Sequence, residues 1–262
     1  MLRVVVIGSV LAAAWPATAA PPSNPAFLGV MMPGGPTSDP GCIVTGVTAG
    51  GAAEAAHVMK LDVILAIDGA RTASCTELTA QIIAHQPGDE VHLDILRGRE
   101  HVQLRVRLQS RAEVLQRKYV GAPLRELDVV DYDDAHEFDL GGLRGDTRVL
   151  AWFDPRCDGC APLIEKVAST AKVVAVTYVE HAEGGRGRLS MKLGVPVALL
   201  PSQDEFDAAA MNETDRAYFM VIDCHGIVRF VLPVVPDADD ADAAVDEVLA
   251  AVEQAEHART HR

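Results

Sequence analysis

Two cysteines separated by two residues stand between a strand-like and a helix-like segment. Cys157 and Cys160 follow the apolar run 149–153 (Val-Leu-Ala-Trp-Phe) and precede a helix-forming stretch over 161–171. This junction places the first sulfur near the unpaired N–H groups of a helix N-terminus, which favour a thiolate over a thiol. The pattern therefore predicts an α/β domain with thiol–disulfide chemistry.

The start of the chain has the pattern of a secretory signal peptide. A cationic residue, Arg3, precedes an apolar stretch over 4–14, and residues 17–19 (Ala-Thr-Ala) offer a small-x-small cleavage site. The apolar stretch is short for a bilayer span, and no second one follows. We expect that residues 1–20 are removed and that the product is a soluble, exported, periplasmic protein without an integral membrane span. An uncleaved N-terminal anchor is the alternative.

The length of the chain indicates how many domains it has, and its net charge excludes some kinds of binding partner. Removing residues 1–20 from the 262-residue chain leaves about 240 residues, which favours two domains. The net charge of −14 argues against binding to nucleic acid or to anionic membrane surfaces, because both would repel the chain. The acidic runs over 128–139 and 237–247 are interpreted as solvated faces.

The first predicted domain covers residues 26–109. Short β-branched segments alternate with Gly- and Pro-containing turns, which is typical of a small β-barrel with two helices. The predicted strands cover 42–47, 62–67, 91–96 and 101–108, and the predicted helices cover 52–56 and 76–85.

This region resembles a bacterial PDZ domain of the HtrA-associated type. The motifs that carry the resemblance are Phe27-Leu28-Gly29-Val30 and the segments 46–53, 61–69 and 87–89. In that family the first motif holds the C-terminal carboxylate of a peptide through backbone N–H groups, and the peptide adds as a strand. The resemblance implies that Phe27, Leu28, Gly29 and Val30 line this loop. A spacing module with an empty groove is the alternative.

The resemblance also implies a disulfide and shows one departure. In the PDZ arrangement the groove helix starts near the hairpin that contains Cys42, so Cys75 could come within bridging range. Two buried free cysteines are the alternative, and Cys224 remains as the odd thiol among five cysteines. Leu61 stands where the family usually has glycine.

Residues 110–118 are charged and are interpreted as a linker to a second domain over 119–262. Strand and helix patterns alternate there, which predicts a central mixed sheet covered on both faces. The predicted strands cover 148–153, 173–179, 196–200, 218–223 and 226–232, and the predicted helices start at 157 and cover 187–193, 204–211 and 240–255.

The second domain resembles the thioredoxin-like fold, most closely the TlpA-like exported disulfide reductases. The segments that show this resemblance are residues 120–123, 140–145, 149–160 and 219–228. The resemblance implies that an exposed Cys157 attacks a protein disulfide or thiol partner as the thiolate, that Cys160 resolves the mixed disulfide, and that no cofactor is needed.

Several neighbours modify this expectation. Arg156 should favour the Cys157 thiolate and Asp158 should oppose it. Gly159 would cost about 1 kcal/mol of helix propensity relative to alanine. Arg156 replaces the family's tryptophan, and Ala217, preceded by Arg216, replaces its cis-proline. We expect a trans peptide before Ala217 and a substrate surface that differs from the family's.

Three other readings compete with the reductase. The domain could be a non-catalytic scaffold with a static Cys157–Cys160 disulfide. A peroxiredoxin-like peroxidase would need Thr or Ser where Asp154 stands. A zinc site could combine the cysteine pair with Cys224 and His225, but the thioredoxin-like order puts that turn at the opposite end of the sheet, so we expect no metal.

Overall fold

The computed structural model describes residues 25–33, 41–124, 129–132, 145–178, 193–200, 202, 213–236 and 239–257. The predicted signal peptide lies outside these residues, as do the predicted helix over 204–211 and all but the last residue of the one over 187–193. Within the described residues, no helix is both long enough and apolar enough to cross a bilayer.

Among its described residues, the first region is β-rich and contains two helices, as the sequence predicts. Its elements are β1 (Ala26–Phe27), β2 (Val30–Met31), β3 (Cys42–Ile43), β4 (Gly46–Val47), α1 (Ala52–Ala55), β5 (Val63–Ile67), β6 (Ala70–Arg71), α2 (Cys75–Ile83), β7 (Glu90–Arg97), β8 (Glu100–Arg107) and β9 (Gln109–Ser110). The sheet has the order β3-β5-β7-β8, with β6 beside β5, and β1 pairs with β9 and β2 with β4.

Helix α2 begins and packs for clear local reasons. The Ser74 side chain accepts a hydrogen bond from the Glu77 N–H at 3.2 Å, which satisfies one of the free donors of the first turn. Leu78 and Ile82 lie one turn apart and are buried, so they present one apolar face to the core. This face packs in a cluster that includes Val44 of the first region.

Leu61 has a backbone conformation that suits glycine, the residue that the resemblance led us to expect at this position. Its φ is +75°, in the left-handed region that side chains with a Cβ disfavour. The side chain is 66% exposed, so no core contact compensates for the strained backbone. The departure is therefore local and leaves the neighbouring strand β5 in place.

The predicted linker folds as a helix, α3 (Arg111–Tyr119). Ser110 caps it: its Oγ accepts from the Glu113 N–H at 3.1 Å, and its N–H donates to the Glu113 carboxylate at 2.9 Å. Leu115 is fully buried in an apolar cluster with Trp152 of the second region. The segment thus has an apolar face that its charged composition conceals.

In the part of the second region that the structure describes, six strands form a mixed sheet with the order β10-β13-β12-β11-β14-β15. Its elements are β10 (Val130–Asp131), β11 (Arg148–Phe153), α4 (Cys160–Ala168), β12 (Val173–Tyr178), β13 (Val197–Leu200), β14 (Ala217–Ile222), β15 (Val228–Val234) and α5 (Ala241–His257). Strand β11 is parallel to β12 and antiparallel to β14.

Apolar side chains cover both faces of this sheet. Val149 and Phe153 of β11 pack in one cluster with residues of α4 and α5, whereas Leu150 and Trp152 pack on the other face with Leu115 of α3. This alternation follows from the two-residue period of a strand. The last helix, α5, presents an apolar face to the sheet, because Val245, Val248 and Val252 are buried.

Candidate functional sites

The predicted carboxylate loop joins β1 to β2. Leu28 is buried, and Gly29 has a φ of +82°. The carbonyls of these two residues accept hydrogen bonds from the N–H groups of Ala53 and Thr48, at 2.8 and 2.9 Å. Within the described part of the chain, the N–H groups of Leu28 and Gly29 donate no hydrogen bond. Two backbone donors therefore remain available to an anion.

Close backbone contacts fix the shape of this loop. A Cβ on Gly29 would lie 3.3 Å from the Cα of Gly51 and 3.4 Å from Cε1 of Phe27. Val30 pairs with Val47 across β2 and β4, and within the described residues no other strand pairs with β2. Strand addition along its other edge is the binding mode that such an arrangement permits.

Cys42 and Cys75 lie at disulfide distance. Their sulfurs are 2.07 Å apart and their Cα atoms 4.6 Å apart. Because Cys42 opens β3 and Cys75 is the first residue of α2, the bond ties the start of this helix to the sheet.

Cys157 and Cys160 also lie at disulfide distance, with Cα atoms 5.6 Å apart. The expectation of an exposed Cys157 at the helix start is wrong: this residue is 1% exposed, and α4 begins at Cys160. Gly159 is the N-cap with a φ of +83°. Its role is therefore to permit a left-handed turn rather than to occupy a helix interior.

The carboxylate of Asp154 organises the loop before Cys157. The sequence analysis considered this position only because a peroxiredoxin would need threonine or serine there. Asp154 is 1% exposed, and its carboxylate accepts hydrogen bonds from the Arg156 side chain at 2.8 and 2.9 Å. The Tyr178 hydroxyl donates a third, at 3.1 Å. Burial alone would raise the pKa of Asp154, but the hydrogen bonds from Arg156 and Tyr178 hold it below its ordinary value.

This pairing changes the expected role of Arg156. The sequence analysis assigned its charge to the Cys157 thiolate. In the structure the guanidinium is bound to Asp154, which largely neutralises it. Asp158, within the cysteine pair, is exposed. An aspartate directly after a fully apolar strand is the signal that could have identified Asp154 as a buried anchor.

Ala217 is the first residue of β14, and Arg216 directly precedes it. Ala217 pairs with Phe153, the last residue of β11, and it packs in the same apolar cluster as Cys157 and Cys160. Every peptide bond in the described part of the chain is trans, including the one before Ala217. Arg216 is 4% exposed. Burial alone would lower its pKa, but the Asp215 and Glu213 carboxylates raise it above its ordinary value.

Glu213 joins Arg216 to the first region. Its carboxylate lies 3.2 Å from Nε of Arg216, accepts a hydrogen bond from the Tyr218 hydroxyl, and lies 3.4 Å from Nε of Arg111 in α3. The Arg111 guanidinium in turn lies 4.2 Å from the centre of the Phe27 ring. No local pattern reveals this cluster, because its members are far apart along the chain.

The residues weighed as a zinc site are not brought together. Arg148 pairs with Ile222 and Phe153 with Ala217, so β14 runs from the cysteine pair to the opposite end of the sheet, where Cys224 follows. Five residues of strand span roughly 16 Å. Cys224 has a free thiol 3.4 Å from Nδ1 of His225. Among the described residues, no group of three or more His, Cys, Asp or Glu could hold a metal ion.

Comparisons with known proteins concern the first region. The PDZ domain family matches residues 26–108. The similar solved structures include the HtrA-type protease AlgW with a decapeptide, at 26% identity and a TM-score of 0.30, with 33% of this chain and 30% of that one covered. The serine endoprotease from Yersinia pestis has 19% identity and a TM-score of 0.30, over 34% of this chain and 30% of that one.

A third similar structure is an isolated domain. The HtrA3 PDZ domain bound to a phage-derived ligand (FGRWV) has 16% identity and a TM-score of 0.29, over 33% of this chain and 88% of that one. The chain thus spans about three tenths of the two proteases. No curated protein matches it. The family match ends at residue 108, and from it we conclude that residues 26–108 are a PDZ domain.

Proposed function

We propose that this chain is an exported protein whose PDZ domain binds the C-terminal peptide of a partner protein and whose second domain, over 119–262, is a TlpA-like thiol–disulfide oxidoreductase. The signal-peptide pattern of residues 1–20 and the Cys42–Cys75 bond both favour an oxidising compartment such as the periplasm.

The peptide-binding part is carried by the loop at Gly29. The PDZ family match supplies the domain. The N–H groups of Leu28 and Gly29, which donate no hydrogen bond within the described residues, supply donors for a carboxylate. Strand β2 offers the edge along which a peptide adds. Phe27 and Val30 flank the loop and would contact the last side chain of the peptide.

A library of peptides with free C-termini tests this part. We expect the chain to bind a subset with hydrophobic last residues, and Gly29→Val to abolish binding because its Cβ would press against Gly51. Gly69→Val, at a turn with no heavy atom within 4 Å of the added Cβ, controls for the strain of placing a side chain at positive φ. Absence of binding by the parent chain would leave the PDZ domain a spacer.

The redox part is carried by the position of the cysteine pair. The two sulfurs lie at the junction of β11 and α4, in a mixed sheet whose strands β12-β11-β14-β15 agree with the thioredoxin-like order. In the reduced protein, the Cys157 thiolate would attack a partner disulfide and displace one partner thiolate. Cys160 would then attack the mixed disulfide, release the second partner thiolate and leave the pair oxidised.

Insulin reduction in the presence of a thiol donor tests the redox part. We expect turnover by the processed chain and loss of turnover in Cys157→Ser, while Cys224→Ser keeps it, because Cys224 lies at the other end of the sheet. Equal rates for Cys157→Ser and the parent chain would contradict a reductase.

A non-catalytic scaffold is the second candidate, and the burial of the cysteine pair favours it. Cys157 and Cys160 are 1% and 0% exposed, so a partner reaches the first sulfur only after the residues that cover it move. A redox titration separates the two candidates: a static disulfide has a potential below about −300 mV, whereas a catalytic pair has a higher one.

A further inference from the structure

Arg111 contacts both halves of the chain. Its guanidinium stacks on the Phe27 ring at 4.2 Å, and its Nε lies 3.4 Å from Oε2 of Glu213. The two charged side chains are only 17% and 22% exposed. Charges that are shielded from water in this way act on one another more strongly than charges in bulk solvent. Arg111 therefore has an electrostatic influence on whatever binds beside Phe27.

The Phe27 ring places Arg111 close to the carboxylate loop. Cε1 of the ring lies 3.4 Å from the position that a Cβ on Gly29 would take. Phe27 also pairs with Gln109 in β9, so the backbone that leads into α3 runs directly beside the loop. The Phe27 ring therefore contacts the Arg111 guanidinium and also lies close to Gly29, whose N–H donates no hydrogen bond among the described residues.

Glu213 opposes this positive charge from the second domain. Its carboxylate is shared between Arg111 and Arg216. Arg216 has a second partner, because it forms a bidentate pair with Asp215 at 2.9 Å. Removing the charge of Glu213 would therefore leave Arg216 paired with Asp215, while Arg111 would lose one carboxylate partner.

We propose that Arg111 selects for a free C-terminal carboxylate in the PDZ groove and that Glu213 limits the strength of this selection. The inference rests on the proposed peptide-binding function. The peptide carboxylate and Glu213 compete for one guanidinium, so the second domain sets the affinity of the PDZ domain. The ligand class that this arrangement fits is a protein with an uncapped C-terminus, in preference to an internal segment or an amidated one.

Fluorescence anisotropy on the full processed chain tests this, with the tightest pentapeptide from the library and its C-terminal amide as probes. We expect Arg111→Gln to weaken binding of the acid about 5–10-fold and to leave binding of the amide within twofold. Glu213→Gln should tighten binding of the acid about threefold, and Arg111→Lys should restore most of the loss. Arg99→Gln, in the turn between β7 and β8, controls for the change in net charge.

The outcomes separate the two claims. If the parent chain binds the acid and both Arg111→Gln and Glu213→Gln stay within twofold of it, the inference is wrong and peptide binding stands. If the parent chain binds neither probe, the proposed peptide-binding function fails and this inference with it. Glu213→Gln keeps the test decisive even if Arg111→Gln does not fold, because the expected gain in affinity cannot come from damage to the structure.

Discussion

Two neighbouring residues combine an unfavourable backbone conformation with a buried charge. Leu61 has a positive φ with an exposed side chain, and Asp62, the next residue, is a buried carboxylate paired with Arg97. Both lie in the turn that leads into β5. The turn thus combines backbone strain with a buried ion pair, and the two effects can be measured separately.

Replacing Leu61 by glycine should stabilise the PDZ domain. The left-handed conformation costs a residue with a Cβ roughly 1–2 kcal/mol, and the greater entropy of glycine in the unfolded chain offsets part of this gain. We expect Leu61→Gly to raise the free energy of unfolding in urea by about 0.5–1 kcal/mol. Met59→Gly, at an exposed neighbour with an ordinary φ, should lower it. A loss of stability in Leu61→Gly would contradict the strain argument.

The Asp62–Arg97 pair should make stability depend on pH. Burial alone would raise the pKa of Asp62, but hydrogen bonds from Arg97 and from the Met59 N–H hold it below its ordinary value. The pair therefore stabilises fully above the unfolded pKa of about 3.9, and this contribution disappears as the pH falls from there through the folded pKa.

Asp62→Asn tests the size and the sign of that contribution. At pH 7 this substitution should lower the free energy of unfolding by about 2–3 kcal/mol. This value is at the low end for a buried ion pair because Arg97 is 30% exposed. Below about pH 4 the difference from the parent chain should shrink. Asp94→Asn, at a less buried carboxylate, should stay within about 0.5 kcal/mol. A pH-independent difference for Asp62→Asn would mean that packing and not charge is lost.

At the scale of elements, helix α3 determines how the two regions meet. Its first residue, Arg111, contacts Phe27 and Glu213, and its buried Leu115 packs against the sheet of the second region. The helix thus belongs to the core of the region that follows it, although β9, directly before it, pairs with β1 of the PDZ domain.

Shortening Leu115 should destabilise the second domain selectively. Leu115→Ala removes a fully buried side chain and should cost about 2–4 kcal/mol. Gln116→Ala, at an exposed position of the same helix, should cost less than about 0.5 kcal/mol. Calorimetry on the processed chain resolves which transition moves. A shift confined to the PDZ transition would contradict this placement of α3.

The sequence predicted elements better than it predicted sites. The strand over 148–153 was predicted to the residue, because an apolar run bounded by polar residues is a local signal. The sequence analysis missed the burial of Cys157, since this residue packs in a cluster with residues that are distant along the chain, such as Ala217 and Val234. The Glu213–Arg111 contact was missed as well, because it joins residues that only the three-dimensional fold brings together.

At the scale of the whole molecule, the two disulfides have separate roles. The Cys42–Cys75 bond closes a loop of 33 residues in the PDZ domain, which corresponds to about 3–4 kcal/mol in the chain-entropy account. The Cys157–Cys160 bond closes a very short loop, so it restricts the unfolded chain far less.

Removing the first bond should therefore affect the PDZ domain and leave the second domain intact. We expect the double variant Cys42→Ser with Cys75→Ser to lose about 3 kcal/mol of PDZ stability and to bind peptide more weakly, because α2 is no longer tied to the sheet. Cys157→Ser with Cys160→Ser serves as the matched control and should leave the PDZ transition unchanged. Urea unfolding and peptide titration measure both. Equal PDZ stability in the two double variants would contradict the structural role.

The burial of the Cys42–Cys75 bond protects this disulfide from reduction by the other cysteine pair of the chain. The two residues are 0% and 7% exposed, so an attacking thiolate reaches the sulfurs only if the packing of α2 on β3 opens. If the second domain passes electrons to protein disulfides, the Cys42–Cys75 bond is a disulfide that is always present in the same chain. The packing of α2 on β3 shields this bond from reduction by the second domain. A change that loosened this packing would expose the Cys42–Cys75 bond to reduction by the same chain or by another copy of it.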